Sequence, residues 1–383
     1  MKRKSYILLI GICLIMAGIV GFCYTKQQET IIIGINLALR GDANGESTER
    51  GIILAKNQLN KQGGLLGRPV KLVSVNNHGK PEDAALAVQQ LAMRHVAAII
   101  GPNENECAAA AVSQAVDKKI PLISPAGTAE NITMDVQHDG VYPNIFRMTL
   151  LPSWQGRIMA SYAMEMCHAE NIAVFYDDTA DSHDLAMGFK DAVEQHGGTV
   201  LLYQQMGDGD AVTADMLSVL QQCQAVYMPI QQDKAAMWIR SLRDSGVMSP
   251  VLGPDSWQGD VLTAMVHDGY SQEVFYLSQY AADVNDELAE EFAEAYYEMY
   301  GEVPDTYAAL GYDSFMMLSK AIEKGQSVHA DDISSQLTQL ERYQGVTGDI
   351  RFDQNHNPHK PGYIWTFLDN EPVILGKQHA ADI

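Results

Sequence analysis

Residues 120–128, with the sequence IPLISPAGT, form the stretch around which the chain is organised. Its apolar half, residues 120–123, predicts a short buried strand that ends at Ser124-Pro125, and three small residues follow. Because these residues have little side-chain bulk, the backbone N–H groups at this strand end are accessible to a ligand. Ligands bind outside the carboxyl ends of the strands in open α/β sheets, so this strand end is a candidate binding site.

The chain before this stretch alternates strands and helices. Residues 31–35 (IIIGI) are a near-continuous apolar run, typical of a parallel sheet that is covered on both faces. Residues 70–75 and 97–100 are the next predicted strands. Helices are predicted between them: one capped by Ser47 or Thr48, one with Pro81 in its first turn, and one over residues 107–116. Strict alternation of this kind stacks right-handed βαβ units into one sheet.

The same plan restarts after residues 151–153 (LPS), which are typical of a crossing between two lobes. The predicted strands that follow are residues 172–176, 200–203, 225–228, 250–252 and 274–277. Residues 350–353 and 363–367 are predicted to pair as a β-hairpin around residues 354–361. Since both halves share a βαβαβ plan, the sequence predicts an α/β protein with two similar lobes.

Composition excludes one class of partner. The chain has 383 residues, of which 46% are hydrophobic and 19% charged, as in ordinary globular proteins with an ample core. The formal net charge is -22. Nucleic-acid binding needs a basic face that neutralises phosphates, so no nucleic-acid partner is expected.

Residues 1–25 form a signal or membrane-anchor segment, in which Lys2-Arg3-Lys4 precedes an uncharged apolar run over residues 6–24. The positive end favours the cytoplasm, which sends residue 30 onward outside the cell membrane. Three fates stay open: lipidation at Cys23, retention as a transmembrane anchor, and cleavage. We therefore expect an extracytoplasmic, membrane-anchored protein.

Three cysteines follow this segment, namely Cys107, Cys167 and Cys223. Their number is odd, so at least one thiol is unpaired or pairs between chains. We expect all three to be small buried side chains, and the pattern leaves open whether Cys167 and Cys223 pair.

Several stretches resemble, in order and spacing, the periplasmic leucine/isoleucine/valine-binding proteins, the type I substrate-binding proteins of ABC importers. The matching stretches are residues 63–70 (GGLLGRPV), 100–102 (IGP), 122–126 (LISPA), Phe146-Arg147, Ser153, Gln155-Gly156, Gly253-Pro254-Asp255 and Phe352-Asp353. The resemblance implies two doubly wound parallel-sheet lobes joined by a three-crossing hinge. It implies that lobe 1 comprises residues 30–147 plus 280–345 and lobe 2 residues 148–279 plus 346–376.

In that family the two lobes close on a small ligand, and the closed form docks on a permease in the membrane. The resemblance thus implies the solute-binding component of an ABC importer, which binds a branched-chain-like amino acid or a related small polar ligand. A ligand-sensing receptor of the same fold that signals to a partner protein is the alternative. The sequence contains no GxSxG, HExxH or phosphate-loop motif, so no enzymatic activity and no cofactor are expected.

The resemblance implies first-lobe ligand contacts at Asn105, Ala126, Gly127 and Thr128. Thr128 offers a hydroxyl and an N–H to a ligand carboxylate, and a helix is expected just beyond it, where an anion is favoured. Alternatively, Thr128 only caps that helix.

Residues 104–106 (ENE) depart from the family, which usually has two serines at the last two of these positions. Glu104 and Glu106 either repel a ligand carboxylate or lie in the solvated first turn of the next helix, where negative charge is favourable.

In the second lobe the resemblance implies ligand contacts at Asp181, Gln231 and Asp255. Asp255 matches the acidic residue that faces the ligand ammonium, although a turn role is the alternative. Asp181 stands where an aromatic residue is often found, which indicates a changed or more cationic ligand; the alternative is a helix N-cap at Asp181 or Ser182. Trp154 and Trp257 either line the cleft or belong to the core.

Three further polar residues have open roles. Arg40 is expected near the cleft mouth, where it pairs with an acidic ligand group or with Glu46 or Glu49. His356 and His359 are expected at the surface, because no further cysteine or histidine accompanies them. No metal site is predicted.

Overall fold

The structure is a computed structural model that describes residues 30–207, 211–258, 269–282, 286–369 and 371–381. The predicted signal or anchor segment, residues 1–25, lies outside the described residues. Among the helices that are described, none is long and apolar enough to cross a bilayer.

The described elements are named in chain order. The strands are β1 (Ile31–Leu37), β2 (Val70–Asn76), β3 (Ala98–Ile100), β4 (Leu122–Ser124), β5 (Met134–Asp135), β6 (Gly140–Val141), β7 (Ile145–Arg147), β8 (Asn171–Tyr176), β9 (Thr199–Gln205), β10 (Ala225–Tyr227), β11 (Val251–Gly253), β12 (Val274–Ser278), β13 (Arg342–Gly345), β14 (Gly348–Phe352), β15 (Pro358–His359), β16 (Gly362–Leu368) and β17 (Glu371–Gln378). The helices are α1 (Ala43–Lys61), α2 (Pro81–Met93), α3 (Asn105–Lys118), α4 (Pro152–Glu165), α5 (Ala180–Gln195), α6 (Ala214–Leu220), α7 (Gln232–Asp244), α8 (Glu287–Tyr300), α9 (Thr306–Gly325) and α10 (Ala330–Thr338).

The first lobe is built on a parallel sheet with the strand order β2-β1-β3-β4-β7. Successive side chains of β1 point to opposite faces, and both faces are covered. Ile33 and Ile35 pack with α1, α9 and α10, whereas Ile32 packs with α2 and α3 on the other side. This burial on both faces explains why β1 is a continuous apolar run, and it confirms the doubly wound architecture.

The second lobe is built on a mixed sheet with the order β17-β16-β12-β11-β10-β8-β9. Strands β8 to β12 are parallel, and β16 and β17 add an antiparallel edge. Helices α6 and α7 cover one face and α4 and α5 the other, so that neighbouring residues such as Val174 and Phe175 enter different cores. We propose that the three crossings between the lobes lie between β7 and α4, between β12 and α8, and between β14 and β16.

The predicted hairpin of residues 350–353 and 363–367 is wrong. Strand β14 pairs with β13 and β15, whereas β16 pairs with β12 and β17. Ile350 is buried in the core of the first lobe, and Ile364 is buried in the core of the second. Strand propensity identified both segments, but the residues between them carry the chain from one lobe to the other.

Helix α1 starts one turn earlier than the sequence indicated. Asp42 is its N-cap, and the side-chain Oδ1 accepts a hydrogen bond of 2.7 Å from the Gly45 N–H. The predicted cap at Ser47 or Thr48 is therefore wrong, because both residues lie inside the helix.

All three described cysteines carry free thiols. Cys107 and Cys223 are buried, and Cys167 is partly buried. Burial raises the pKa of each thiol to about 11, with nearby acidic groups adding to this at Cys107 and Cys167. The thiols therefore stay protonated at neutral pH and behave as small apolar side chains.

Candidate ligand-binding site

A cavity of about 720 Å³ lies between the lobes, where the carboxyl ends of strands from both sheets meet. The loops after β3 and β4 line it from the first lobe, and those after β8, β10 and β11 line it from the second. The starts of α1, α4 and α9 complete the wall. This volume falls in the range of small-molecule sites.

The cavity brings together most of the residues that the sequence singled out. Lining residues include Asn105, Ala126, Thr128, Asp181, Gln231 and Asp255. Gly127 is not among them: it is buried, and its N–H donates to Ser124 Oγ over 3.2 Å. The roles of these residues as ligand contacts remain predictions.

The side chain of Asn105 occupies the backbone donors of the loop after β4. Asn105 Oδ1 accepts from the Thr128 N–H over 2.7 Å and from the Ala129 N–H over 3.0 Å. Its Nδ2 donates to Thr128 Oγ1 over 3.0 Å. The Thr128 N–H expected to meet a ligand carboxylate is thus already paired within the protein.

The helix expected just beyond Thr128 is wrong. The chain makes only a 3₁₀ turn, Glu130–Ile132, before β5. Arg147 explains why, because its buried guanidinium donates to the carbonyl oxygens of Gly127 (3.1 Å) and Ala129 (2.8 Å). These bonds hold the loop extended, so no helix dipole favours an anion here.

Arg147 is a positioning residue that sequence reasoning used only as a landmark. It is fully buried behind the loop, and burial lowers its pKa to about 10 despite the charges of Asp353 and Glu130. Arg147 does not line the cavity, so its charge stabilises the loop instead of facing a ligand.

Asp255 lies between two glutamine side chains. Its Oδ2 accepts from Gln155 Nε2 over 3.0 Å and from Gln279 Nε2 over 2.7 Å. Burial raises the pKa of Asp255, and the charge of Asp181 adds to that rise; the two amide bonds and the charge of Lys360 oppose it. Asp255 opens the 3₁₀ turn Asp255–Trp257, so its turn role and its place in the cavity coexist.

Asp181 faces Thr128 across the cleft. Thr128 Oγ1 lies 3.4 Å from Asp181 Oδ1 and 3.5 Å from Oδ2, which links the first lobe to the start of α5. The N-cap of α5 is Thr179, which accepts from the Ser182 N–H over 3.3 Å, so Asp181 is not the cap. Burial raises the pKa of Asp181, and the Thr128 hydroxyl opposes that rise.

The two glutamates of residues 104–106 have different surroundings. Glu104 lines the cavity, and its Oε2 is buried without a hydrogen-bond partner in the protein. Burial raises its pKa, and the nearby charge of Asp42 adds to this. Glu106 is exposed in the first turn of α3 and does not line the cavity. The expected solvated first turn thus describes Glu106, whereas repulsion of a ligand carboxylate by Glu104 stays a prediction.

Arg40 is not at the cavity. It lies with Glu46 and Glu49 around a separate surface depression of about 580 Å³. This placement does not agree with the expectation that Arg40 lies at the cleft mouth and pairs with an acidic ligand group.

Several lining residues had no sequence signal of their own. They are Asn44, Asn103, Gln232, Gln279, Asp305, Thr306 and Tyr307. Tyr307 shows how acidic the cavity is: burial raises its pKa to about 12, and the charges of Asp255, Asp305, Asp42 and Glu104 contribute. Residues of α9 lie far along the chain from the strand ends, so no local pattern indicated them.

The aromatic and histidine side chains belong to the packing between elements. Trp257 is fully buried, and its Nε1 donates to the Ile230 carbonyl over 2.8 Å. Trp154 stacks on His359 with ring centroids 3.8 Å apart.

The surface position expected for His356 is wrong. Its ring is buried, stacks on Phe146, and lies 2.9 Å from the Ile145 carbonyl through Nδ1. The third crossing packs between the lobes, which a Pro- and Asn-rich stretch does not reveal. Within the described ranges, no group of three His, Cys, Asp or Glu residues is placed to hold a metal ion.

Comparisons with known proteins agree with this geometry. Residues 30–371 match the family model described as periplasmic binding protein. The chain is 22% identical over 342 residues to the leucine-, isoleucine-, valine-, threonine-, and alanine-binding protein of Pseudomonas aeruginosa. The match covers 88% of this chain and 90% of that protein.

Two solved structures show the same fold. One is the branched-chain amino acid transporter substrate-binding protein LivJ of Streptococcus pneumoniae in complex with isoleucine, with 26% identity, a TM-score of 0.70, and coverage of 91% of this chain and 100% of that one. The other is a solute-binding protein of an ABC transporter from R. palustris in complex with benzoate, with 21% identity, a TM-score of 0.68, and coverage of 92% and 98%. Proteins of this fold thus hold ligands of different chemistry.

Proposed function

Because the chain belongs to the periplasmic binding protein family, and its relatives are type I leucine/isoleucine/valine-binding proteins, we propose that it is the extracytoplasmic solute-binding component of an ABC importer. It binds an amino acid or a related small polar ligand and passes it to a membrane permease without chemical change. The N-terminal segment, residues 1–25, anchors the protein at the membrane.

One observation carries this proposal: a cavity of small-molecule size lined by both lobes. Thr128 of the first lobe and Asp181 of the second approach each other across it. A ligand between these loops contacts both lobes at once and therefore favours the closed arrangement, which is how two-lobed proteins couple binding to closure.

A thermal-shift screen of the purified full-length chain tests this function. The compounds are amino acids, amides, amines, aromatic carboxylates, sugars and nucleosides. Binding to the native state alone raises the unfolding midpoint, so one chemical class should raise it in a concentration-dependent way.

The variant Asp255→Asn then tests the cavity as the binding site. It should abolish the midpoint shift caused by ammonium-bearing ligands, whereas Asp178→Asn, which removes an exposed acid outside the cavity, should preserve it. A screen in which no class raises the midpoint would contradict the proposal, and so would chemical turnover of a bound ligand.

A further inference from the structure

Acidic side chains dominate the charge of the cavity wall, and the buried Lys360, whose charge acts on Asp255, does not line the cavity. Glu104, Asp177, Asp181, Asp255 and Asp305 line it, and among its described lining residues there is no Lys, Arg or His. Asp177 and Asp305 are occupied within the protein. Asp177 Oδ1 accepts from the Thr179 N–H and hydroxyl, and Asp305 Oδ1 accepts from the Ala308 N–H and the Ser47 hydroxyl.

Glu104, Asp181 and Asp255 are paired only weakly or with neutral groups. Glu104 Oε2 has no hydrogen-bond partner in the protein, Asp181 accepts a 3.4 Å bond from the Thr128 hydroxyl, and Asp255 Oδ2 accepts from the neutral amides of Gln155 and Gln279. Glu104 enters from the first lobe, whereas Asp181 and Asp255 enter from the second. Like charges that face each other in a partly dry cleft repel, and a cation between them removes that repulsion.

A second observation is independent of charge. Three buried polar atoms of lining residues have no hydrogen-bond partner in the protein, and all three are oxygens: Asn103 Oδ1, Glu104 Oε2 and Gln232 Oε1. A buried acceptor without a donor is unfavourable, so the ligand is expected to supply N–H or O–H groups.

The orientation of the Asn103 amide is fixed by its neighbours. Asn103 is only 6% exposed, and its Nδ2 donates to Thr48 Oγ1 over 2.9 Å. The Thr48 hydroxyl is already committed, because it donates to the Asn44 carbonyl over 2.8 Å. Thr48 therefore accepts from Asn103, and the unpartnered atom of Asn103 is its acceptor oxygen.

Three groups that could hold a carboxylate are occupied or placed elsewhere. Asn105 takes the N–H groups of Thr128 and Ala129. The guanidinium of Arg147 is bound to the carbonyls behind the loop, and Arg40 lies outside the cavity. A ligand carboxylate would thus find no opposite charge among the described lining residues and would lie near acidic side chains.

We infer that the ligand is an organic cation, with amine, amidine or guanidine groups as donors, and that it carries no carboxylate. This inference rests on the proposed solute-binding function and specifies the ligand class of the same cavity. One cationic or N–H-rich end binds near Asn103 and Glu104, and the other binds near Asp181 and Asp255.

Matched pairs of probes test the inference that the ligand carries no carboxylate. Calorimetric titration of the full-length chain compares agmatine with arginine, cadaverine with lysine, and isoamylamine with leucine; within each pair the compounds differ only in the carboxylate. The decarboxylated diamine-type probes, agmatine and cadaverine, should bind at least about tenfold more tightly than arginine and lysine. Isoamylamine has one cationic end only and should bind more weakly than agmatine.

Matched variants test the charges. Glu104→Gln keeps the shape and removes the charge, and it should weaken agmatine binding by about tenfold. Glu106→Gln makes the same change two residues away, at an exposed position outside the cavity, and should leave the affinity within about twofold of the wild type. The unfolding midpoint of the unliganded Glu104→Gln variant should not fall, which excludes loss of folding as the cause.

The outcomes separate this inference from the proposed function. If arginine, lysine or leucine binds as tightly as its decarboxylated partner, the ligand class is wrong, while solute binding stands. The same holds if none of the six probes binds but a neutral or anionic compound of the broader screen does. If equal losses follow from Glu104→Gln and Glu106→Gln, the specific role of Glu104 in cation binding is overturned. If no compound binds at all, both proposals fail.

Discussion

Asn105 is the residue that most changes the meaning of the strand end after β4. The small side chains in residues 120–128 leave the backbone N–H groups uncovered. Asn105, at the start of α3, pairs with two of the N–H groups that follow, because its side-chain oxygen accepts from those of Thr128 and Ala129. The loop that was expected to bind an anion is instead bound by the protein's own amide.

The variant Asn105→Ala tests this role. Removal of the acceptor leaves two loop N–H groups unpaired, so the free energy of unfolding should fall by about 1–3 kcal/mol. Chemical denaturation of the unliganded chain measures the change.

Two comparisons make that result specific. Asn105→Asp keeps an acceptor for both N–H groups and should lose less stability than Asn105→Ala. Gln89→Ala removes an exposed amide pair with Gln114 and should stay within about 0.5 kcal/mol of the wild type. Equal losses in Asn105→Ala and Asn105→Asp would show that the two accepted bonds do not hold the loop.

At the scale of elements, helices α4 and α5 set the shape of the second-lobe wall. Gln155 lies in the first turn of α4 and Asp181 in the first turn of α5, so a shift of either helix moves a lining side chain. The two helices approach closely at two glycines. A Cβ on Gly156 would lie 2.2 Å from the Leu185 carbonyl oxygen, and one on Gly188 would lie 2.2 Å from that of Ser153.

Gly188→Ala should therefore force α4 and α5 apart. The expected loss in the free energy of unfolding is about 1–3 kcal/mol or more, because backbone atoms cannot yield as a flexible side chain does. Ligand affinity should fall as well, since Asp181 moves with α5. Gly140→Ala is the control: the nearest atom to its Cβ lies 4.0 Å away, so denaturation should be unchanged. An unaltered denaturation curve for Gly188→Ala would refute the close packing.

At the scale of the whole molecule, the third crossing connects the lobes through a buried lysine. Lys360, 3% exposed, precedes β16, and its Nζ donates to Thr347 Oγ1 over 3.1 Å. Thr347 in turn donates from its N–H and its hydroxyl to Asp313 Oδ2 over 2.9 and 2.7 Å. The crossing, the β13–β14 turn and α9 thus share one polar network.

The lobe boundaries remain a proposal, and this packing refines it. Val346 and Ile350 pack with the helices and sheet of the first lobe. We propose that the third boundary falls within residues 353–361, between β14 and β16, instead of at residue 345.

Lys360 gives the molecule a pH dependence of stability with a defined sign. Burial lowers its pKa from 10.5 to about 7, and the charges of Asp313 and Asp255 oppose this. Between pH 7 and 10 the Lys360 amine keeps its proton in the unfolded chain but has released it in the folded chain. The contribution of Lys360 to the free energy of unfolding therefore rises with pH. The slope is at most about 1.4 kcal/mol per pH unit.

Lys360→Met should remove that rise. Denaturation at several values from pH 7 to 9 is measured for both chains, and the wild-type value minus the variant value should increase with pH. Cysteines and tyrosines titrate in both chains and cancel in this difference. Lys190→Met, which removes a lysine paired with Glu194 on the surface, should give a flat difference. A flat difference for Lys360→Met would show that its amine is charged in the folded chain at neutral pH.

The sequence by itself determined the architecture and pointed to residues that the structure places at one cavity. Apolar runs such as residues 31–35 indicated buried strands, and strict alternation indicated two sheets with helices on both faces. Asn105, Thr128, Asp181 and Asp255 follow or flank predicted strand ends, and the structure places them at one cavity. These inferences succeeded because periodicity and strand-end geometry are local properties that each segment carries with it.

Only the tertiary structure decided which polar groups face the cavity and which are paired within the protein. Asn105 pairs with a loop 23 residues away, Gln279 with a carboxylate 24 residues away, and Lys360 enters from the third crossing. The packing of distant segments also decided that β14 and β16 do not pair. The charge of the cavity wall, the burial of its side chains and the pairing of its acceptors all depend on residues from distant parts of the chain. No local sequence pattern therefore contains this information. The charge of the side chains that packing brings beside the strand ends therefore depends on the tertiary structure.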